Sequence, residues 1–263
     1  MKRFINDLKK HHNYAVYSAK AALKAEVASS YLNWIWWVLE PLCMMLIYAF
    51  IFGVVFSARE DYFPIFIFIG ITCWDFFSKN MNQSVKMVKK NKPIVTKVYL
   101  PKFVLILTRM YVNGFKMLIS WGIVLIMVIF FRVPLTWHII YVIPLMITLW
   151  LVTFGFMCIL LHFGVFVDDL SNIITIVLRL VFYLTGIFYN IETRLGDYYP
   201  ALAKVVGEAN PMAFIIIGFR KAVLYGQSPN GVVLLLWILI AIAVSVIGVR
   251  TIYKNENNYV KVI

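Results

Sequence analysis

The sequence predicts an all-α integral membrane protein: six transmembrane helices, an N-terminal amphipathic interface helix, and an outer re-entrant or gate helical hairpin before the last span. Three observations carry that expectation. First, 62% of the 263 residues are hydrophobic and only 14% charged, with a mean hydropathy of +0.84, whereas a soluble domain has about 45–50% apolar and about 25% charged residues. Second, apolar runs recur near the length of about 20 helical residues that a hydrocarbon core of about 30 Å requires. Third, basic residues concentrate in alternate connections, as positive-inside topology demands. Disordered, collagenous and disulfide-rich classes are excluded by the same composition.

The chain reads as a single transmembrane domain over 1–263. Residues 1–30 form a cytoplasmic interface helix and 31–191 hold spans one to five. Residues 192–231 form an outer segment, 232–253 the sixth span, and 254–263 a cytoplasmic tail. No cleavable signal peptide is expected, because mixed residues precede the first apolar run. Phe4, Leu8, Ala15, Ala19, Leu23 and Val27 recur mostly at steps of four, with Lys9, Lys10, Lys20 and Lys24 at other angles. This spacing describes a helix lying flat on the inner leaflet; the competing reading is an ordinary solvated helix.

The spans follow in order. Tyr31 to Phe56 has Glu40 as its one charge, followed by Pro41, and Tyr62 to Phe77 is a shorter run bracketed by Pro64 and Asp75. Phe103 to Phe131, Ile139 to Val167, Leu170 to Ile191 and Val232 to Tyr253 complete the set. Lys2, Arg3, Lys9, Lys10, Lys20 and Lys24 precede the first span, and seven lysines from Lys79 to Lys102 separate the second from the third. Arg59, Arg132, Arg194, Lys204, Arg220 and Lys221 lie on the other side, so both termini are expected in the cytoplasm. Lys102, Arg109 and Lys116 repeat every seven residues and form one stripe, which either snorkels to the interface or faces a watery or protein-lined space.

The outer segment is only moderately hydrophobic, and its apolar stretch from Met212 to Phe219 is too short to span. Asn210-Pro211 breaks the segment, a helix from Met212 to Tyr225 is closed by Gly226, and a re-entrant hairpin fits best.

The net charge of +13 suits anionic headgroups better than nucleic acid, because most aromatics sit inside the apolar runs. Cys43, Cys73 and Cys158 lie in hydrophobic segments without CxxC spacing and read as small buried residues. No P-loop, dinucleotide fingerprint, nucleophile elbow or H-E-x-x-H occurs, so no catalytic residue, metal ligand or bound cofactor is expected. His162 reads as a packed, hydrogen-bonded residue rather than a proton relay, and Asp168-Asp169 as a helix start. Glu40 and Arg179 each need a polar partner inside the membrane. Aromatics crowd two spans: Trp34, Trp36, Trp37, Tyr48, Phe50, Phe52 and Phe56 in the first, Phe182, Tyr183, Phe188 and Tyr189 in the fifth. Interfacial belts and packing account for most of them, and stacking on sugar rings is the functional alternative.

Several phrases together resemble a family. Trp36-Trp37-Val38-Leu39-Glu40-Pro41-Leu42 with Tyr48, Gly70 through Phe77, Asn91-Lys92-Pro93-Ile94 with Lys97 through Pro101, and Asn210-Pro211 with Phe219-Arg220 are similar to ABC-2 type transporter permeases. The likeness is to the branch exporting O-antigen, capsular polysaccharide and teichoic acid. Asp168 departs from it, standing where the family often has arginine. The resemblance implies a bacterial cytoplasmic-membrane homodimer joined to two copies of a separate ATPase subunit, which would carry ATP and Mg. It implies that Lys86, Lys89, Lys90, Asn91, Lys92 and Lys97 couple ATP-driven closure to the spans. It implies a path lined by Trp37, Tyr48, Phe52, Tyr183, Phe188 and Tyr189, gated outside by Tyr198, Tyr199, Asn210, Pro211, Phe219 and Arg220. A lipid-linked glycan would be drawn to Lys9, Lys10, Lys24, Lys102 and Arg109 among the membrane lipids. The alternative within the fold is a permease for drug or lipid efflux.

Overall fold

The computed structural model describes residues 2–28, 31–55, 60–196 and 198–262. Phe56 and Arg59, both named above, lie outside them. The described residues are overwhelmingly helical and contain no strand. Helix α1 (Lys2–Val27) leads into a short 3-10 turn, α2 (Trp36–Tyr48) and a π-helical continuation, Ala49–Val55. Helices α3 (Phe63–Val85), α4 (Met87–Lys90), α5 (Lys92–Val95), α6 (Lys102–Phe130), α7 (Val142–Phe166) and α8 (Leu170–Leu184) follow. Then come α9 (Ile191–Arg194), α10 (Pro200–Ala209), α11 (Pro211–Val223) and α12 (Gly231–Val262).

By length and composition four segments can cross a membrane: Asn33–Val55, Lys102–Phe130, Trp137–Phe166 and Gly231–Tyr259. The pair α10–α11, bent by 97°, is a fifth candidate. The expected second and fifth spans differ from their sequence bounds. Helix α3 runs eight residues past Phe77, and its polar second half is accommodated by partners. Asn80 donates to the Phe76 carbonyl at 2.7 Å, while Asn113 of α6 donates to Asn80 Oδ1 at 2.9 Å and to Gln83 Oε1 at 3.1 Å. Helix α8 stops at Leu184 because Gly186 takes a left-handed conformation (φ +68°) that glycine adopts freely. Its fifteen residues reach about 22 Å, short of a full crossing. The last helix continues through 254–262 instead of ending near Tyr253.

The core sits around α3, where every residue from Ile65 to Trp74 is buried. A helix buried all round belongs at the centre of a bundle, and α6, α7 and α11 pack against it. The stripe on α1 also meets protein: Ala15 and Ala19 are buried, and Phe4 lies 4.9 Å from the Phe103 ring of α6. The expectation that this stripe rests on lipid is corrected to that extent. By contrast, Met45 is the one buried residue of α2, and Leu178 the one of α8.

The bundle has two distinct ends. At one, Arg3 donates to Tyr99 Oη at 2.6 Å and to Glu256 Oε1 at 2.8 Å, and Tyr253 donates to Asp7 at 2.7 Å. Both chain ends and the 86–101 connection therefore meet there. At the other end lie the α9–α11 hairpin and the 132–136 turn, which Gly226 approaches at Thr136.

Candidate transport site

The aromatic residues of α2 and the α8 end converge in part. Phe188 packs on Phe52 with centroids 4.4 Å apart and planes at 8°, and on Tyr48 at 4.8 Å. Trp74 reaches this cluster through Phe182, at 5.5 and 5.2 Å. Tyr189 donates to the Tyr183 carbonyl at 3.0 Å, leaving the Tyr183 ring exposed. Trp37 stands apart, edge-on to Phe115 at 5.8 Å and 5.9 Å from the Lys116 ammonium. Phe52 and Phe188 thus spend their faces on each other within the chain. The residues turned outward are Tyr183 and, along the segment Asn33–Val55, Trp34, Trp36 and Phe50.

The basic residues divide. Lys9, Lys10 and Lys24 are exposed on α1, and Arg109 is half-buried on α6. Lys102 is buried at 3% exposure, 5.9 Å from the Tyr99 ring, so it does not share the surface of the other four. Lys116, below it on the same stripe, pairs with Glu26 of α1. That pair answers the open choice for the stripe: at least one of its charges faces protein.

Glu40 and Arg179 do not pair. Glu40 meets Lys79 at 3.4 Å, and Lys79 also holds Asp75 at 3.2 Å one turn away. Arg179 is exposed on α8. A cavity of about 60 Å³ beside Glu40 is lined by Thr72, whose buried hydroxyl lacks a partner, and by Asn113 and Lys116. This polar cluster was half-legible: Asp75 and Lys79, four apart in an apolar helix, flag an ion pair on one helix face. The Arg3–Tyr99–Glu256 junction had no local signal at all. Of the histidines, His162 hydrogen-bonds the hydroxyl of buried Tyr259 at 2.8 Å. Cys73 and Cys158 are buried, but Cys43 is exposed, contrary to its expected packing.

Between α3 and α6 the chain makes an amphipathic elbow. Met87, Val88 and Val95 are buried, whereas Lys86, Lys90, Lys92 and Lys97 point outward. Asn91 braces it by donating to the Met87 carbonyl at 2.7 Å. Lys89 pairs with Asp168 of the α7–α8 turn, and that hydrogen bond holds the Asp168 carboxyl below the usual carboxylate range. The elbow is seated where α7 and α3 nearly touch: a Cβ on Gly164 would lie 2.1 Å from the Val85 carbonyl oxygen.

In the outer segment, Asn210 caps α11, accepting from Met212 N at 3.0 Å and Ala213 N at 3.4 Å, with Pro211 in the first turn. Its amide also donates to Thr185 at 3.2 Å, tying α11 to the end of α8. Asn210→Ala is expected to cost about 1 kcal/mol, read as a Tm lower by about 2–4 °C in the purified protein; an unchanged Tm would show the cap to be dispensable. Tyr198 and Tyr199 are exposed, but Phe219 and Arg220 are core residues, Phe219 lying 4.8 Å from the Trp121 ring. Arg220 donates to the carbonyls of Phe66 (3.1 Å), Gly186 (2.7 Å) and Ile187 (2.8 Å), with its guanidinium over the Phe66 ring.

A model of the ABC-2 type transporter family matches residues 17–224, from within α1 to the end of α11. The chain belongs to the ABC-2 type transporter family. As such it is a multi-pass membrane transport component. Among proteins similar to this ABC-2 chain is the O-antigen export system permease protein RfbA of Myxococcus xanthus, 25% identical over 84% of each chain. Two proteins of that name from Klebsiella pneumoniae are 24% and 23% identical, each over 92% of this chain and 91% of the relative. The match takes in the aromatic cluster around Phe52 and Phe188 and all of the elbow. It leaves α12, and with it Tyr253, Glu256 and Tyr259, outside the family model.

Proposed function

We propose that this chain is the membrane subunit of an ABC exporter that moves a lipid-linked cell-surface polysaccharide outward across the bacterial cytoplasmic membrane. The observation that carries the reading is similarity to O-antigen export permeases over about nine-tenths of both chains. The geometry agrees with it. The exposed basic rim of the α4–α5 elbow, seated on the bundle by its apolar side, is a docking surface for a partner ATPase, which would hold ATP and Mg. Two such partners and two permeases make the simplest symmetric assembly. The uncovered faces of α2 and α8, rich in large apolar side chains, are where a second permease would join, bringing the outward aromatics of both copies to one passage. Sugars would then slide past many weak aromatic contacts. The basic residues of α1, with the termini and elbow at the same end, support a cytoplasmic position for that end.

Depleting the protein in its own cells, followed by mass spectrometry of lipid-linked glycans, tests this reading. A finished polymer should build up on the inner leaflet and disappear from the surface. Unchanged glycan pools with an intact surface would overturn polysaccharide export and favour a permease for drugs or lipids.

A further inference from the structure

Two cavities at the hairpin end share a wall. One, of about 260 Å³, lies between α10, α11 and the Pro229–Asn230 connection; the other, of about 250 Å³, lies between α11, Phe66 and the Asn190–Thr193 turn. Glu192, Ile217 and Lys221 line both, and Lys221 donates to Glu192 at 2.7 Å. The Glu192 side chain is 52% exposed, so this ion pair contributes little to stability and opens readily.

The walls offer donors and acceptors without a surplus of either charge. Glu192 and Glu208 face Lys204 and Lys221 in the first cavity, and Glu60 and Glu192 face Arg220 and Lys221 in the second. That balance disfavours a phosphate or a metal ion and suits a neutral ligand that both donates and accepts. The second cavity also holds Tyr225, its hydroxyl beside the Glu60 carboxylate; burial pushes its pKa up to about 12, so it stays protonated. A protonated phenol beside a carboxylate on one cavity wall is a donor and acceptor pair that can hold a sugar hydroxyl.

Gly207 supplies an independent sign. It sits inside α10, where glycine weakens a helix, yet a Cβ there would meet only Ile217 Cδ1, at 3.4 Å. Packing does not call for glycine at this position. What the missing side chain leaves is the open volume of the first cavity, which Gly207 lines.

We infer that the paired cavities are a saccharide site, each sized for about one sugar ring, since drug-sized ligands need about 300 Å³ or more. Uncharged sugar units bind through their hydroxyls to Tyr225, the Asn190 amide and the carboxylates, and parting of Lys221 from Glu192 lets one glycan segment lie across both. The inference rests on the polysaccharide reading and gives it a holding point at the hairpin end.

The test uses the permease with its ATPase in nanodiscs and saturation-transfer NMR with methyl glycosides of glucose, galactose, mannose, rhamnose and N-acetylglucosamine. At least one should receive saturation from the wild-type complex. Tyr225→Phe, which keeps the ring, should bind it about tenfold more weakly, and Gly207→Leu should abolish the signal with the protein's Tm and abundance as a check on folding. No transfer to any glycoside in the wild type, or Tyr225→Phe binding as the wild type does, would overturn the site. This readout is independent of the depletion experiment, where unchanged glycan pools would instead remove the exporter reading itself.

Discussion

Arg220→Ala should leave little folded permease. The guanidinium is 3% exposed and serves three carbonyls from two separate places, Phe66 in the first turn of α3 and Gly186–Ile187 just beyond α8. Truncation strips a partner from each carbonyl and removes the cation from the Phe66 ring, 3.3 Å away. Each buried group left without a partner costs about 1–3 kcal/mol, so a total loss of roughly 4 kcal/mol is expected, beyond what most single substitutions do. Lysine should recover part of this at most, because one ammonium cannot reproduce the planar fork. Gly70 shows how tightly the guanidinium is accommodated: a Cβ there would stand 2.8 Å from Nη2. Fluorescence-detected size-exclusion after graded heating measures the effect, and a wild-type melting profile for Arg220→Ala would show that the three bonds are not what docks α11.

Gly164→Ala should be nearly as damaging, for a steric reason. The added methyl would lie 2.1 Å from the Val85 oxygen and 2.8 Å from its Cα, and backbone cannot swing aside as a side chain can. The ends of α3 and α7 must separate, at a cost of about 3 kcal/mol. The α4–α5 elbow starts one residue after Val85, and its Lys89 is paired to the turn that follows α7. On the docking role proposed for the elbow, the same displacement should also lower export by whatever protein does fold. Gly122→Ala on α6 is the matched control, since a Cβ there meets nothing within 4 Å; it should be neutral or slightly stabilising. Equal melting temperatures for the two variants would contradict the close-contact account.

The legible parts of this molecule share one property: their cause lies within a few residues along the chain. The hairpin break could be read from Asn210-Pro211 because an Asn cap and a Pro in the first turn act locally. The closing turn at Gly226 was legible for the same reason, being a left-handed position (φ +59°) next to the end of α11. The long apolar runs of α2, α6, α7 and α12 were equally plain. Lengths set by tertiary partners were not. The polar end of α3 looked like a connection because its solution, Asn113, lies about thirty residues further on. Helix α8 looked like a span because its apolar run continues past the turn at Gly186, where Ile187 and Phe188 are buried against the bundle.

Among the transport residues, the elbow's basic face was visible as a run of lysines, but its seat was not. Asp168 and Lys89 are 79 positions apart. Arg220 was singled out as an outer residue, and its sequence neighbourhood gives no sign that it is the buried tie between α11, α3 and α8. Lys102 was grouped with four cations from which burial separates it.

Hydropathy, periodicity and charge are properties of the chain read in order, and they set the solvent, the helical class and the outward basic rim. Which apolar faces are used internally, which charges are paired, and which small residues open a cavity emerge from the packing of the folded chain. Those depend on side chains that approach from distant positions, and a buried group's partner leaves no mark in the sequence around it.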